Sequence, residues 1–159
     1  MKKVVLGLVV LLSTICFAQD ADTKKLEKEC EKRDGKSCYL IASEYDDSNG
    51  EKHSYDKATP YYQKSCDYGF AIGCYNLGVM YDNGKGIEKN FEKAAQSYLK
   101  ACDNGDSGGC FAVARKYEFG KGLEKNTEKA KEYYKLACDL RSEISCEEYK
   151  RVVTAIVAK

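Results

Sequence analysis

The sequence predicts an all-α protein, a right-handed solenoid built from four helix-turn-helix repeats. The first observation is a set of four cysteine pairs, whose members are eight positions apart and which recur every 36 residues. The second is composition, since the chain has a single proline and many Lys, Glu and Ala residues, which favour helix. A fixed period of this length is typical of repeats that bury their apolar faces only by stacking. The pairs are Cys30 and Cys38, Cys66 and Cys74, Cys102 and Cys110, and Cys138 and Cys146.

Residues 1–18 are predicted to be a signal peptide that is cleaved after Ala18. Two lysines precede an apolar run, residues 4–15, that is too short to span a membrane. Small residues at Cys16 and Ala18 fit the positions that a signal peptidase reads. The alternative is a lipoprotein anchored through Cys16, which the bulky Ile15 disfavours. We therefore expect an exported protein, periplasmic or secreted, in an oxidising compartment.

The mature chain predicted in this way is electrically balanced. Removal of residues 1–18 takes away two lysines and no acid, which leaves 24 basic and 25 acidic residues. Such a surface gives no electrostatic reason to expect binding to nucleic acid. The remaining chain, 19–159, has the length of one domain, and we expect a monomer without a transmembrane span. Its repeats are expected at 19–54, 55–90, 91–126 and 127–159.

Each repeat carries two stripes of small and aromatic residues, spaced three or four positions apart. This spacing places the members of a stripe on one side of a helix. Small residues allow two helices to approach closely, and tyrosines fill the space beside them. The stripes of the third repeat are Ala94, Tyr98 and Ala101 in the first helix, and Cys110, Ala114 and Tyr117 in the second.

Glycines mark the predicted turns. Gly69 and Gly105 stand where the first helices of the second and third repeats should end in a left-handed residue. The end repeats carry Arg33 and Arg141 there, a departure that suits repeats with only one neighbour. The loops NGKGIEKN and FGKGLEKN each contain a G-x-G. Because no strand and no longer glycine pattern accompanies them, we interpret them as turns rather than phosphate-binding loops.

These residues resemble the Sel1-like repeats, which are relatives of the tetratricopeptide repeats. With a cysteine pair in every repeat and an export signal, the chain is similar to the Helicobacter cysteine-rich protein family. The resemblance covers the mature chain and is weakest in the first repeat, where DDSNGEKHS stands in place of a G-x-G loop. It implies weak β-lactamase and penicillin-binding activity, which no residue pattern in this chain predicts. The residues that carry it include Tyr98, Ala101, Cys102, Gly105, Cys110, Tyr117, Gly120 and Gly122.

The cysteine pairs could in principle hold a metal, carry out redox chemistry or form disulfides. Zinc sites use cysteines about two to four residues apart with a second such pair or histidines, whereas His53 is the only histidine here. Redox centres usually use C-x-x-C, which is absent. Cys102 in the last turn of a first helix and Cys110 in the first turn of a second can come close enough for a disulfide. We therefore expect a disulfide within each pair, no metal and no cofactor.

No catalytic residue can be assigned from the sequence. A serine β-lactamase would show S-x-x-K with the companion motifs S-D-N and K-T-G. Two S-x-x-K matches begin at Ser54 and Ser97, but the companion motifs are absent. The counterparts of Ser97 in the neighbouring repeats are tyrosines, which indicates a packing position. The acid pairs at 46–47 and 147–148 fit a solvated surface better than a general acid–base couple.

Binding on the concave side of the solenoid, which one row of helices lines, is the function predicted best. We expect an exported scaffold for a peptide, a protein or a β-lactam or cell-wall-like ligand. The alternatives are a weak β-lactamase and a periplasmic assembly partner. Four tyrosines are either aromatic anchors at the rim or inter-repeat packing, namely Tyr55, Tyr61, Tyr68 and Tyr133. The predicted ligand residues are Gln63, Asp67, Leu99, Asp103, Lys135 and Asp139.

Overall fold

The computed structural model describes residues 22–47 and 54–158, and within these ranges the chain forms eight α-helices and no strand. The all-α prediction is confirmed. The predicted signal peptide, Cys16 and His53 lie outside the described residues. None of the described helices is long and apolar enough to cross a membrane. The helices are α1 (22–31), α2 (Gly35–Asp46), α3 (Tyr55–Asp67), α4 (Ala71–Asn83), α5 (Phe91–Asp103), α6 (Ser107–Phe119), α7 (Thr127–Asp139) and α8 (Glu143–Val157).

Disulfides close four helical hairpins, α1 with α2, α3 with α4, α5 with α6 and α7 with α8. In each hairpin the first cysteine lies in the last turn of the earlier helix and the second in the first turn of the later one. The joined Cα atoms are between 4.3 and 4.8 Å apart, at the short end of the usual range. The four pairings predicted from the eight-residue spacing are therefore confirmed.

Small residues and tyrosines form the core, as the two stripes predicted. Ala94 and Ala101 of α5 are fully buried, and Tyr98 between them is 4% exposed. The ring of Tyr98 fills the space left by Gly78 of α4, because a Cβ on Gly78 would stand only 2.5 Å from that ring. Val152 of α8 continues the core to the last helix, where it packs with Tyr134 and two alanines.

The G-x-G loops are tight turns, as predicted. The first glycine of each loop caps a helix in the left-handed conformation, as Gly120 does at the end of α6 with φ of 67°. The second glycine is required by contact, since a Cβ on Gly122 would overlap the carbonyl oxygen of Phe91. The loop then ends in the residue that starts the next helix, where the Asn126 side chain accepts a hydrogen bond from the Lys129 N–H at 2.9 Å.

A tyrosine hydroxyl joins each later repeat to the one before it. A buried phenol needs a partner for its hydroxyl, and a carboxylate on the second helix of the preceding repeat accepts its hydrogen bond. The three acceptors recur every 36 residues, a period that the sequence itself contains. Asp46 is thus a structural acceptor, which corrects the interpretation of residues 46–47 as merely solvated. The bonds run from Tyr62 to Asp46 (3.0 Å), from Tyr98 to Asp82 (3.1 Å) and from Tyr134 to Glu118 (2.6 Å).

The two outer hairpins make the same turn as the inner ones without a glycine. Arg33 and Arg141 have φ values of 72° and 69°, close to the 81° and 85° of Gly69 and Gly105. Arginine in place of glycine at these two positions therefore does not change the conformation of the turn. A left-handed conformation costs a non-glycine residue about 1–2 kcal/mol, so the outer turns are less favourable than the inner ones.

Removal of one disulfide tests how much a closed hairpin stabilises the fold. We expect the double variant Cys102→Ala/Cys110→Ala to lose about 2.5 kcal/mol of unfolding free energy, because a bond across this separation restricts the unfolded chain. Urea unfolding with the other three disulfides intact measures the loss. A double variant as stable as the native chain would contradict this account.

Replacement of an arginine in the left-handed conformation by glycine should stabilise the protein. We expect Arg141→Gly to raise the unfolding free energy by about 1 kcal/mol, since Arg141 is exposed and glycine adopts this φ without strain. The matched control is Gly105→Ala, at the equivalent turn. An added Cβ at Gly105 meets no atom within 4 Å, so its expected destabilisation isolates the backbone conformation. Thermal unfolding checks both variants, and equal midpoints for all three proteins would refute the prediction.

Glu118 makes stability depend on pH. Burial alone would raise the pKa of this carboxyl, but hydrogen bonds from Tyr134 and Arg151 outweigh burial and hold the pKa below its ordinary value. Because the folded pKa is lower than the unfolded one, the stabilisation is fully present above the unfolded pKa. It is lost as the pH falls through the folded pKa.

The variant Glu118→Gln should therefore show a flatter dependence of stability on pH. Between about pH 6 and about pH 3, we expect native unfolding free energy to fall more than that of the variant, since only the native carboxylate must take up a proton. Urea titrations at several pH values give the two profiles. Parallel profiles would show that Glu118 is not stabilised as a carboxylate.

Candidate functional site

The six predicted ligand residues lie on α3, α5 and α7, whose exposed side we call the first-helix face. Leu99 is half-buried and packs against the core. Asp67 accepts a hydrogen bond from the Gln63 amide at 3.1 Å and pairs with Lys100 of the next repeat at 3.4 Å. Most of this face therefore consists of polar side chains that already contact one another.

Asp103 and Asp139 occupy equivalent positions in successive repeats but differ in pairing. Asp139 pairs with Lys135 at 2.8 Å, one turn away on α7. Asp103 is exposed, and within the described part of the chain it makes no ion pair. None of the six residues lines any of the three cavities described below. These six residues of the first-helix face thus take no part in the three cavities.

Three of the four rim tyrosines contact a neighbouring repeat, and Tyr55 contacts a lysine of its own repeat. Tyr61 stacks on Tyr45 with ring centroids 6.2 Å apart, and Tyr133 stacks on Tyr117 at 5.6 Å. Burial raises the pKa of Tyr133, and the nearby Tyr117 and Asp103 raise it further. The other two rings receive cations, since Arg33 lies over Tyr68 at 5.3 Å and Lys85 over Tyr55 at 4.6 Å. These contacts favour inter-repeat packing over free anchors for Tyr61, Tyr68 and Tyr133, and they engage Tyr55 within its own repeat.

Neither S-x-x-K serine is arranged with its lysine as a nucleophile and base would be. Ser97 is 5% exposed, and its hydroxyl donates to the Lys93 carbonyl oxygen at 2.9 Å, while Lys100 pairs with Asp67. Ser54 is the residue before α3, and Lys57 lies over the Tyr45 ring at 5.5 Å. Both lysines are thus engaged with neighbouring repeats, and the packing role expected of Ser97 agrees with its burial.

A groove of about 420 Å³ opens between α4 and α6, and we call it the α4–α6 groove. Its floor comes from α5, so it crosses the junction between the second and third repeats. Five aromatic side chains line it, namely Tyr75, Phe91, Tyr98, Phe111 and Phe119. Tyr75 and Phe111 stand 36 residues apart, with Tyr39 at the same position one repeat earlier, a periodicity that would have indicated this surface.

A buried ion pair forms the floor of the α4–α6 groove. Lys116 is 6% exposed, and its ammonium pairs with the carboxylate of Asp82. The same ammonium lies 5.0 Å from the ring centroid of Phe91 and 5.8 Å from that of Tyr98. Asp82 also accepts the Tyr98 hydroxyl, and burial followed by this carboxylate raises the pKa of Tyr98 strongly. The floor is therefore electrically neutral and rigidly bonded.

Three further cations lie at the rim of the α4–α6 groove, namely Lys89, Arg115 and Lys121. Lys89 stands over the Phe91 ring at 4.9 Å, and the guanidinium of Arg115 stands over Phe119 at 5.5 Å. Among the residues that the structure describes, none of the three makes an ion pair. The rim thus carries three cations without an ion pair among these residues, although Arg115 also attracts the carboxylate of Glu118 and helps to lower its pKa.

Two other cavities differ in charge and lining. One of about 400 Å³ lies between α6 and α8, where Arg151 pairs with Glu118 at 2.5 Å and with Glu148 at 2.6 Å. Another, of about 380 Å³, lies between the end of α2 and the start of α3, with Pro60 and Tyr61 in its wall. In the described residues, no group of three or more His, Cys, Asp and Glu side chains is placed to hold a metal ion.

Three segments of the chain match the Sel1 repeat, residues 35–69, 71–106 and 107–142. Each segment pairs a second helix with the first helix that follows it. In this division Cys66 and Cys74 fall in successive segments, so the disulfide that closes a hairpin also joins one Sel1 repeat to the next. None of the curated proteins is similar enough in sequence to match.

Solved structures of Sel1 repeat proteins share this fold. A Sel1 repeat protein from Oxalobacter formigenes is 23% identical, with 82% of this chain and 98% of that chain covered and a TM-score of 0.74. The protective antigen c5321 of uropathogenic Escherichia coli, described as displaying an SLR fold, is 24% identical with a TM-score of 0.79. That match covers 86% of this chain but only 29% of the antigen.

The chain is also similar to Helicobacter pylori cysteine rich protein B. The two are 34% identical over 79% of this chain and 95% of that chain, with a TM-score of 0.62. The resemblance inferred from the cysteine spacing and the G-x-G loops is thereby confirmed. By its repeats, its disulfides and this relative, the chain belongs to the Sel1 repeat family.

Proposed function

We propose that this protein is an exported scaffold that binds a peptide or a segment of another protein along the first-helix face. The observation that carries the proposal is that each first helix has one side buried in packing and the other side exposed to solvent. One side of α5 is fully used in packing, through Ala94, Tyr98 and Ala101, while the other side presents Asp103 to solvent. Repetition of this arrangement in α3 and α7 gives a surface with contact points at regular steps, which suits an extended ligand.

Asp103 is the centre of the proposed binding surface. Its neighbours in the repeat pattern, Asp67 and Asp139, each have a lysine partner from this chain. Asp103 has no such partner among the described residues, so its carboxylate is open to a donor on a ligand. Leu99, one turn earlier on α5, is half-buried and adds an apolar contact beside it. A ligand with a basic and an apolar side chain would complement these two residues.

The disulfides support export. Disulfides form and persist in oxidising compartments, and all eight cysteines of the described chain are paired within its hairpins. The predicted signal peptide at residues 1–18 would supply the route. Among the described residues, no contact of Ser54 or Ser97 favours hydrolysis, and the function we propose is recognition rather than catalysis.

Selection of a random peptide library on the oxidised protein tests the proposal. We expect enrichment of peptides that carry a basic residue, and we expect Asp103→Lys to weaken their binding by about tenfold, because an attraction becomes a repulsion. The matched control is Glu147→Lys, the same change of charge at an exposed position on α8. Fluorescence anisotropy measures the affinities.

Two results would contradict the proposal. One is a selection that enriches no sequence class. The other is a set of selected peptides that bind the Asp103→Lys variant as tightly as they bind the native protein.

A further inference from the structure

We propose that the α4–α6 groove is a second binding site, which takes an acidic segment of a partner protein with an aromatic side chain between its carboxylates. The site lies on the other row of helices from Asp103, and its charge has the opposite sign. It therefore does not rest on the function proposed for the first-helix face.

The unpaired cations at the rim define the charge of the ligand. Lys89, Arg115 and Lys121 converge on one groove, and none of them makes an ion pair among the described residues. The cavity between α6 and α8 shows the contrast, because Arg151 there is held by two glutamates. The α4–α6 groove brings three such cations together, whereas the cavity beside the start of α3 has two, Lys57 and Lys64, with Asp56 next to them.

The aromatic rings position the cations and offer an apolar contact. Lys89 and Arg115 each lie over a phenylalanine ring, so part of their conformational freedom is already lost before a ligand binds. Phe119 is 55% exposed and Phe91 is 36% exposed, so both rings present apolar surface at the groove. A ligand that brings an aromatic or apolar side chain between two carboxylates would cover both rings and meet the cations beside them.

The floor of the groove keeps its single acid from repelling such a ligand. Asp82 is already bound by the buried ammonium of Lys116 and by the hydroxyl of Tyr98. Its charge is compensated within the protein, so the field at the mouth comes from the rim. The neutral, bonded floor also fixes the separation of α4 and α6, which keeps the groove open in the absence of a ligand.

The basic cluster is confined to the α4–α6 groove, which favours a protein segment over a nucleic acid as the ligand. The positions of Arg115 and Lys116 are occupied by Val79 and Met80 one repeat earlier, so the basic cluster is not repeated along the α2–α4 side. A phosphate backbone is neutralised by a continuous stripe of cations that follows the strand. A short acidic segment needs only the one groove that this chain supplies.

Binding of defined peptides to the oxidised protein tests this site. The probe is a fluorescein-labelled peptide of sequence Gly-Glu-Glu-Phe-Glu-Glu-Gly, and its matched control has glutamine in place of each glutamate. We expect the glutamate peptide to bind at least about tenfold more tightly than the glutamine peptide, with an affinity that falls as salt is added. Fluorescence anisotropy gives both affinities.

Charge-reversal variants locate the binding. We expect Arg115→Glu/Lys121→Glu to weaken binding of the glutamate peptide by at least about tenfold, since both side chains are exposed rim cations. The control Lys24→Glu/Lys28→Glu makes the same change of net charge on α1 and should alter the affinity less than about twofold. Asp103→Lys should also leave it unchanged, which separates this site from the first-helix face.

Several outcomes would overturn the assignment. Equal binding of the glutamate and glutamine peptides, or no binding of either, would refute the proposal that the groove binds an acidic ligand. Equal losses in the rim variant and the α1 control would reduce the effect to net charge. Tighter binding of a short single-stranded oligonucleotide than of the glutamate peptide, abolished by the rim variant, would assign the groove to nucleic acid instead. Retention of the native helical content and of all four disulfides in each variant excludes misfolding as the cause of a loss.

Discussion

The disulfide between the end of one helix and the start of the next is the constraint on which the other contacts of this protein depend. With the Cα atoms of Cys102 and Cys110 held 4.5 Å apart, α5 and α6 must diverge from a single point. Their inner surfaces can then be close only if they carry small residues, which is why alanine and glycine recur along both stripes. The tyrosines complete the arrangement, since each ring reaches from one hairpin into the space that the previous hairpin leaves. Identical bonds at a fixed interval give identical geometry, and repeats that share one geometry stack into a solenoid.

Much of this fold can be predicted from the sequence because the interactions that determine it are local. A cysteine pair eight residues apart, a glycine three residues after the first cysteine and an alanine–tyrosine–alanine stripe each act over one or two turns of chain. The carboxylates at positions 46, 82 and 118 were equally readable, since they follow the same period as the tyrosines that bind them. The left-handed Arg33 and Arg141 were not, because an arginine at a turn gives no indication of its φ. Both residues lie in the turn that a disulfide closes, as Gly69 and Gly105 do in the inner hairpins.

The charge of the α4–α6 groove could not have been predicted in the same way, although its aromatic positions 39, 75 and 111 follow the period. The floor of the groove depends on the pairing of Asp82 with Lys116, 34 residues away, and Lys116 departs from the repeat pattern, since Met80 and Val152 stand at its equivalent positions. Periodicity shows what the repeats share, and here the distinctive chemistry lies in what one repeat does not share. Side chains that interrupt a repeat deserve separate inspection when function is inferred for a solenoid. The first-helix face and the groove thus differ in kind, one built from repetition and the other from a local exception.

The position of the disulfides has a consequence for cleavage of the chain. Asn104 and Gly105 form an exposed turn, which is the kind of site where proteases cut. Cys102 and Cys110 lie on either side of this turn, so a peptide bond broken there leaves both halves covalently joined. The same holds for the turn between Cys66 and Cys74. A chain cut in its hairpin turns would keep its helices in place, and in surroundings rich in proteases it would remain a single molecule.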